Sequence, residues 1–122
     1  MKEANSEIPG NNEVEKSKSH IIVDIVDYVP DSVTDKLIIK KSTGHVRMIS
    51  FAHGHEVKKR TCPFDVFVQM IEGKAAVIID NVSHKLEIGQ GIVIPAHASG
   101  AIRSEEPFKI IETLIKSGYE LH

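Results

Sequence analysis

Tryptophan is absent, cysteine occurs once, and aromatic residues make up only 5% of the chain. A lone cysteine, Cys62, excludes an internal disulfide and any Cys-x-x-Cys zinc pair. No apolar run approaches the roughly 20 residues that a membrane-crossing helix needs. The stretch from Met1 to Lys18 has no apolar centre of the kind a secretion signal requires; it is polar and carries Glu3, Glu7, Glu13 and Glu15. An excess of one charge is also missing. Fifteen basic residues stand against 17 acidic ones, a net charge of -2, which argues against a nucleic-acid-binding face. The run Lys58-Lys59-Arg60 reads as solvated rather than as a phosphate-binding patch. These absences lead us to expect a soluble cytoplasmic protein with neither nucleic acid nor membrane as partner.

With 122 residues the chain suits one domain, large enough to bury a core without disulfides or a structural metal. Residues 1–19 contain almost nothing to bury and are expected to form a disordered or loosely attached arm, with a single domain over 20–122. From His20 on, short apolar runs alternate with turn residues. Ile21 to Tyr28 reads as a strand or a short helical turn, ending at Pro30-Asp31-Ser32. Strands are predicted at Lys36 to Lys41 and at Val46 to Phe51. In the second, Val46, Met48 and Ser50 face one way and Arg47, Ile49 and Phe51 the other. Further strands are predicted at Val66 to Ile71, Ala75 to Ile79, Ser83 to Ile88, Ile92 to Pro95 and Phe108 to Ile115. Asp80-Asn81, between two apolar runs, suits a tight hairpin. Ala96 to Gly100 reads as a loop. Many short strands with no helix long enough for a parallel crossover indicate an all-β, antiparallel sandwich or barrel.

Two predicted strands, Val66 to Ile71 and Ala75 to Ile79, are apolar on both faces. One chain's barrel covers only the inner face. A homodimer is the expected cover for the outer one, with the segment His20 to Tyr28 as the alternative.

The order and spacing of these turns resembles the cupin superfamily, in particular its small single-domain, RmlC-like jelly-roll members. Gly54 is followed, after five intervening residues, by Arg60-Thr61-Cys62, then Pro63-Phe64-Asp65 and a strand into Ile71-Glu72-Gly73, which is similar to the closing turn of the first cupin motif. Gly89 is followed at the second motif's spacing by Pro95 and Ala96-His97-Ala98-Ser99-Gly100. The resemblance covers nearly everything after the arm and implies a cupin-type double-stranded β-helix (jelly-roll) barrel. Many cupins hold iron, manganese, nickel or zinc through two histidines and a glutamate of the first motif and a histidine of the second. The matching positions here hold Arg60, Cys62, Val66 and Gly100. Arginine stays protonated, and valine and glycine offer no donor, so one thiol is left. No metal or other cofactor is therefore expected.

Arg60, if it points inward, would place a fixed cation near the family's metal position and call for an anionic ligand such as a carboxylate; otherwise it would swing to the rim and pair with Glu56, Glu112 or Asp65. The candidate ligand pocket comprises Arg60, Cys62, Met48, Val66, Met70 and His97. A relocated metal site would use His53, His55, Cys62 and His97, while His20, His45, His84 and His122 read as surface or terminal positions. Three functions stay open: a metal-free cupin binding a small ligand, an anion included; an enzyme using a relocated metal or the Arg60 and Cys62 pair; and a dimeric interaction module without a ligand.

Overall fold

The computed structural model describes residues 13–52 and 56–116, with the side chains of 56–60 outside that description. Among the described residues nine strands follow one another: β1 (Val33–Lys41), β2 (Gly44–Phe51), β3 (Glu56–Thr61), β4 (Asp65–Glu72), β5 (Lys74–Ile79), β6 (Val82–Glu87), β7 (Gly91–Ile94), β8 (Ser99–Arg103) and β9 (Phe108–Ile115). They form two facing sheets, β1-β2-β9-β4-β7 and β3-β8-β5-β6. Every pairing between these strands is antiparallel. This is the expected all-β jelly roll.

Local chemistry fixes the turns. Asp80 and Asn81 both adopt positive φ, 48° and 71°, and close the β5–β6 hairpin in the mirror-image turn that matches strand twist. Gly73, the glycine of the Ile71-Glu72-Gly73 turn, has φ 81°. A Cβ there would stand 2.5 Å from the Pro107 carbonyl oxygen and 2.9 Å from Phe108 Cβ. Between the sheets, Ile49, Phe51, Val68, Met70, Val77, Leu86, Phe108 and Ile110 pack into one apolar cluster. Phe51 and Phe108 stack within it, ring centroids 4.2 Å apart.

The segment before β1 is a strap. Ile22–Asp24 forms a 3-10 turn, one of the two conformations expected of that run. Three contacts tie the strap to the outer side of the larger sheet. Lys109 Nζ donates to the Val23 carbonyl at 2.7 Å and lies 4.7 Å from the Tyr28 ring centroid. Ser50 Oγ donates to the Asp27 carbonyl at 2.8 Å, and Tyr28 Oη donates to Glu72 Oε1 at 2.6 Å. Burial, then the bond to Glu72, pushes the Tyr28 phenol above its usual range. Met48, Ser50 and Lys109 are consequently buried although they face away from the barrel.

Three expectations change. The ordered part begins by Glu13 rather than His20: Glu13 bridges to Leu37, and its carboxylate accepts the Lys40 amide N–H. The Lys40 amide and the Lys16 ammonium hold the Glu13 carboxyl below its ordinary range. Residues 1–12 of the expected arm lie outside the described residues. The loop expected at Ala96 to Gly100 runs into strand β8, and β3 carries the stretch after Gly54. Strand β8 escapes a periodicity reading because Ser99 and Gly100 look like turn residues and its apolar part is only Ala101-Ile102.

Gly73→Ala adds a Cβ where backbone already stands, at a φ that disfavours it. We expect a loss of about 2 kcal/mol or more in urea unfolding, whereas Gly89→Ala, with open space around its added Cβ but a φ of 87°, should lose only about 1 kcal/mol.

Candidate functional site

Strand parity builds the site. Along the β2–β9 pair the inward residues meet in successive rungs: Phe51 with Phe108, Ile49 with Ile110, Arg47 with Glu112, His45 with Leu114. On β4, Val68 sits beside Glu112 and Val66 beside Leu114. The barrel is thus plugged by stacked aromatics at one end and becomes polar toward the other. A cavity of about 540 Å³ lies between the sheets and reaches from Phe51 to the polar end. Its walls include Ile49, Val66, Val68, Ile102 and Ile110, and Cys62, Phe64, Pro95 and Ala98 complete the lining from the connecting loops.

Asp35, His45, Arg47 and Glu112 line the cavity together, with Thr61 also in the wall. Arg47 Nε donates to Glu112 Oε1 at 2.6 Å and Nη1 donates to Asp35 Oδ2 at 3.2 Å. His45 Nε2 lies 3.1 Å from the same Glu112 Oε1. Burial alone would push the Glu112 carboxyl up, but the hydrogen bonds from Arg47 and His45 outweigh it and hold the group below its ordinary value. Burial acts against the Arg47 charge as well, and its two carboxylate partners restore it and carry the guanidinium above its usual range. An ionised Glu112 only accepts, so His45 Nε2 must be the donor. In neutral His45 the lone pair then sits on Nδ1.

The expected pocket residues divide. Cys62 and Val66 line the cavity. Met48 does not: it is buried on the outer side of β2, the face on which Ser50 meets the strap, and not in the barrel interior. Met70 is packed in the apolar cluster below the cavity, at the rung of Ile110. His97 is exposed, adopts φ 72°, and contributes only its backbone N–H, which donates to the Cys62 carbonyl at 2.7 Å. Arg60 stands opposite Gly100 in the β3–β8 register, and its side chain lies outside the described residues, as do His53 and His55. His45, read from sequence as a surface position, belongs to the cavity wall. Asp35 and Arg47 were not singled out as site residues, and Glu112 was considered only as a rim partner. The signal was present in the alternation: Arg47 shares parity with Ile49 and Phe51, and Glu112 with Phe108 and Ile110, so two opposite charges occupied interior positions on separate strands.

The cupin metal position does not fit a metal here. Val66 supplies no donor, and Gly100 has no side chain. A Cβ at Gly100 would stand 3.3 Å from Ile94 Cγ2 and 3.4 Å from its Cδ1, so Ile94 fills the space beside it. Among the described residues no group of three or more His, Cys, Asp or Glu is arranged to hold a metal ion.

No family model and no curated protein matches the chain. Solved structures do. A conserved protein of unknown function from Streptococcus pyogenes superposes with a TM-score of 0.81 at 22% identity, covering 91% of this chain and 97% of its own. A cupin superfamily protein from Desulfitobacterium hafniense gives 0.79 at 18% identity, covering 87% and 96%. An RmlC-like cupin from Shewanella frigidimarina gives 0.67 at 16% identity, covering 77% and 85%. The chain has the cupin fold. The first two of these structures match it nearly end to end.

The sign of the pH effect follows from Glu112. Its native value is depressed below the ordinary 4.5, so its contribution to stability is complete above that value and is lost as pH falls through the depressed one. Urea unfolding between pH 6 and pH 3 should therefore show a decline that is shallower in Glu112→Gln. At pH 6 the same substitution should cost about 1–3 kcal/mol, because it weakens two hydrogen bonds in a buried setting.

Proposed function

We propose that this chain is a small-molecule-binding cupin that works without the metal on which many barrels of this type rely. The observation that carries the reading is the cavity itself: about 540 Å³, apolar along its walls and polar at one end. That volume and that distribution of a few polar groups over apolar surface are those of ligand sites. Catalysis through a metal at the usual position draws no support from Val66, Gly100 and Ile94. An anionic ligand, the expectation attached to Arg60, draws none from the described side chains either, because the arginine in the wall, Arg47, is already engaged by two carboxylates.

Protein purified without a metal-affinity tag should melt several degrees higher with a cavity-filling ligand from a panel of small organic molecules, and chelator should leave that rise unchanged. Ala98→Trp, which places a large side chain in the lining, should abolish the response. Stoichiometric iron, zinc, nickel or manganese by elemental analysis, or stabilisation that Ala98→Trp leaves intact, would overturn the reading.

We also propose that the chain pairs with a second copy through the outer side of β4 and β7. Phe67, Val93 and Ile115 share that face and are 39%, 54% and 65% exposed, beside the free edge of β7. Sedimentation velocity should find a dimer that Phe67→Glu converts to monomer; a monomeric parent protein would sink the idea.

A further inference from the structure

We propose that the polar end of the cavity is a diol site: it takes a neutral molecule bearing two adjacent hydroxyls on an apolar body. The inference rests on the ligand-binding reading above and names the class of ligand. It starts from what the four polar side chains have left to give. Arg47 uses Nε on Glu112 and Nη1 on Asp35, and its Nη2 makes no hydrogen bond among the described residues. Asp35 accepts through Oδ2, and its Oδ1 has no partner among them. His45, with Nε2 committed to Glu112, keeps the Nδ1 lone pair. The cavity wall therefore offers a donor from Arg47 and acceptors from Asp35 on β1 and, in its neutral form, His45 on β2, and all three residues line the same space.

A hydroxyl is the group that donates and accepts at once. Two on neighbouring carbons can each give a proton to one acceptor, Asp35 or His45, while turning an oxygen lone pair toward the guanidinium. Singly charged heads fit worse. Among the described side chains, a carboxylate would meet Arg47 only alongside the carboxylates of Asp35 and Glu112, and an ammonium would meet the acceptors only alongside Arg47. Like charges at such range cost more than the added bond returns, whereas a neutral donor–acceptor group meets every partner favourably. The remaining wall, Val33, Ile49 and Ile110, is apolar and suits the carbon skeleton.

The test uses one ring with four heads: cis-cyclohexane-1,2-diol, cyclohexanol, cyclohexanecarboxylate and cyclohexylammonium, titrated into the full-length protein and followed by amide chemical shifts. The diol is expected to bind about 10-fold more tightly than cyclohexanol, because a site built to hydrogen-bond a hydroxyl discriminates against the analogue lacking it. Asp35→Ala retains the Arg47–Glu112 pair and removes a half-exposed side chain. It should bring the diol down to parity with cyclohexanol measured on the same variant. Tightest binding by the carboxylate or the ammonium would overturn the diol assignment while leaving the cavity as a ligand site. A diol preference that survives Asp35→Ala would overturn it too. If none of the four binds, both the assignment and the ligand-binding reading fall.

Discussion

The carboxylate of Glu112 stands in the barrel wall, only 8% exposed, and the organisation of the interior depends on how its charge is met. A buried unpaired carboxylate costs several kcal/mol, so the fold must bring a cation to it or fail. It brings Arg47 from the neighbouring strand on the same rung, and His45 from the next rung donates to the same oxygen. The rungs on the other side of this pair are apolar and end in the Phe51–Phe108 stack. Polarity therefore changes abruptly along the barrel axis. The end at Phe108 is filled with side chains, and the cavity runs from Phe51 and Ile49 to the polar rungs of Arg47, Glu112 and His45.

This arrangement separates the chain from metal-bearing barrels of the same architecture by chemistry rather than by shape. Of the motif positions, Val66 carries an apolar side chain and Gly100 none, with Ile94 packed beside Gly100. The ionisable groups are shifted onto β1, β2 and β9, where they pair with each other. A scaffold at 16–22% identity to its structural neighbours preserves the path of the backbone and little of the interior chemistry. The function has to be read from Asp35, His45, Arg47 and Glu112.

Most of the backbone was legible in the sequence because its signals are local. Asp80-Asn81 marks a hairpin by its tolerance of positive φ, Gly73 marks a turn, and the runs at β4, β5 and β9 are strongly apolar. Strand β8 was not legible, since its pairing with β3 and β5 is a tertiary fact that Ser99-Gly100 does not announce. The site was legible only in part. Motif spacing led to Cys62 and Val66, which do line the cavity. It could not lead to Arg47 and Glu112, 65 residues apart, because only the β2–β9 register makes them neighbours. Met48 shows the converse difficulty. Hydrophobicity announced burial correctly, but a residue can be buried from either side of a sheet, and the strap that covers it contains no long apolar run.

The strap also changes what a second copy has to do. From sequence, two doubly apolar strands, Val66 to Ile71 and Ala75 to Ile79, called for an outer cover. Lys109, with its ammonium on the Val23 carbonyl and against the Tyr28 ring, holds residues 22–28 over β2 and β9, so that part of the face is already sealed within one chain. What stays uncovered is the region toward β7, where Phe67 and Val93 sit side by side in register. A charged residue as deeply enclosed as Lys109 is retained only if its partners are reliably present. Its contacts with the strap are internal to the chain, so the sealed part of the face does not depend on assembly. Any association through β4 and β7 adds to a barrel that is already complete, and leaves the cavity, which faces the opposite side of β4, available to a ligand in either state.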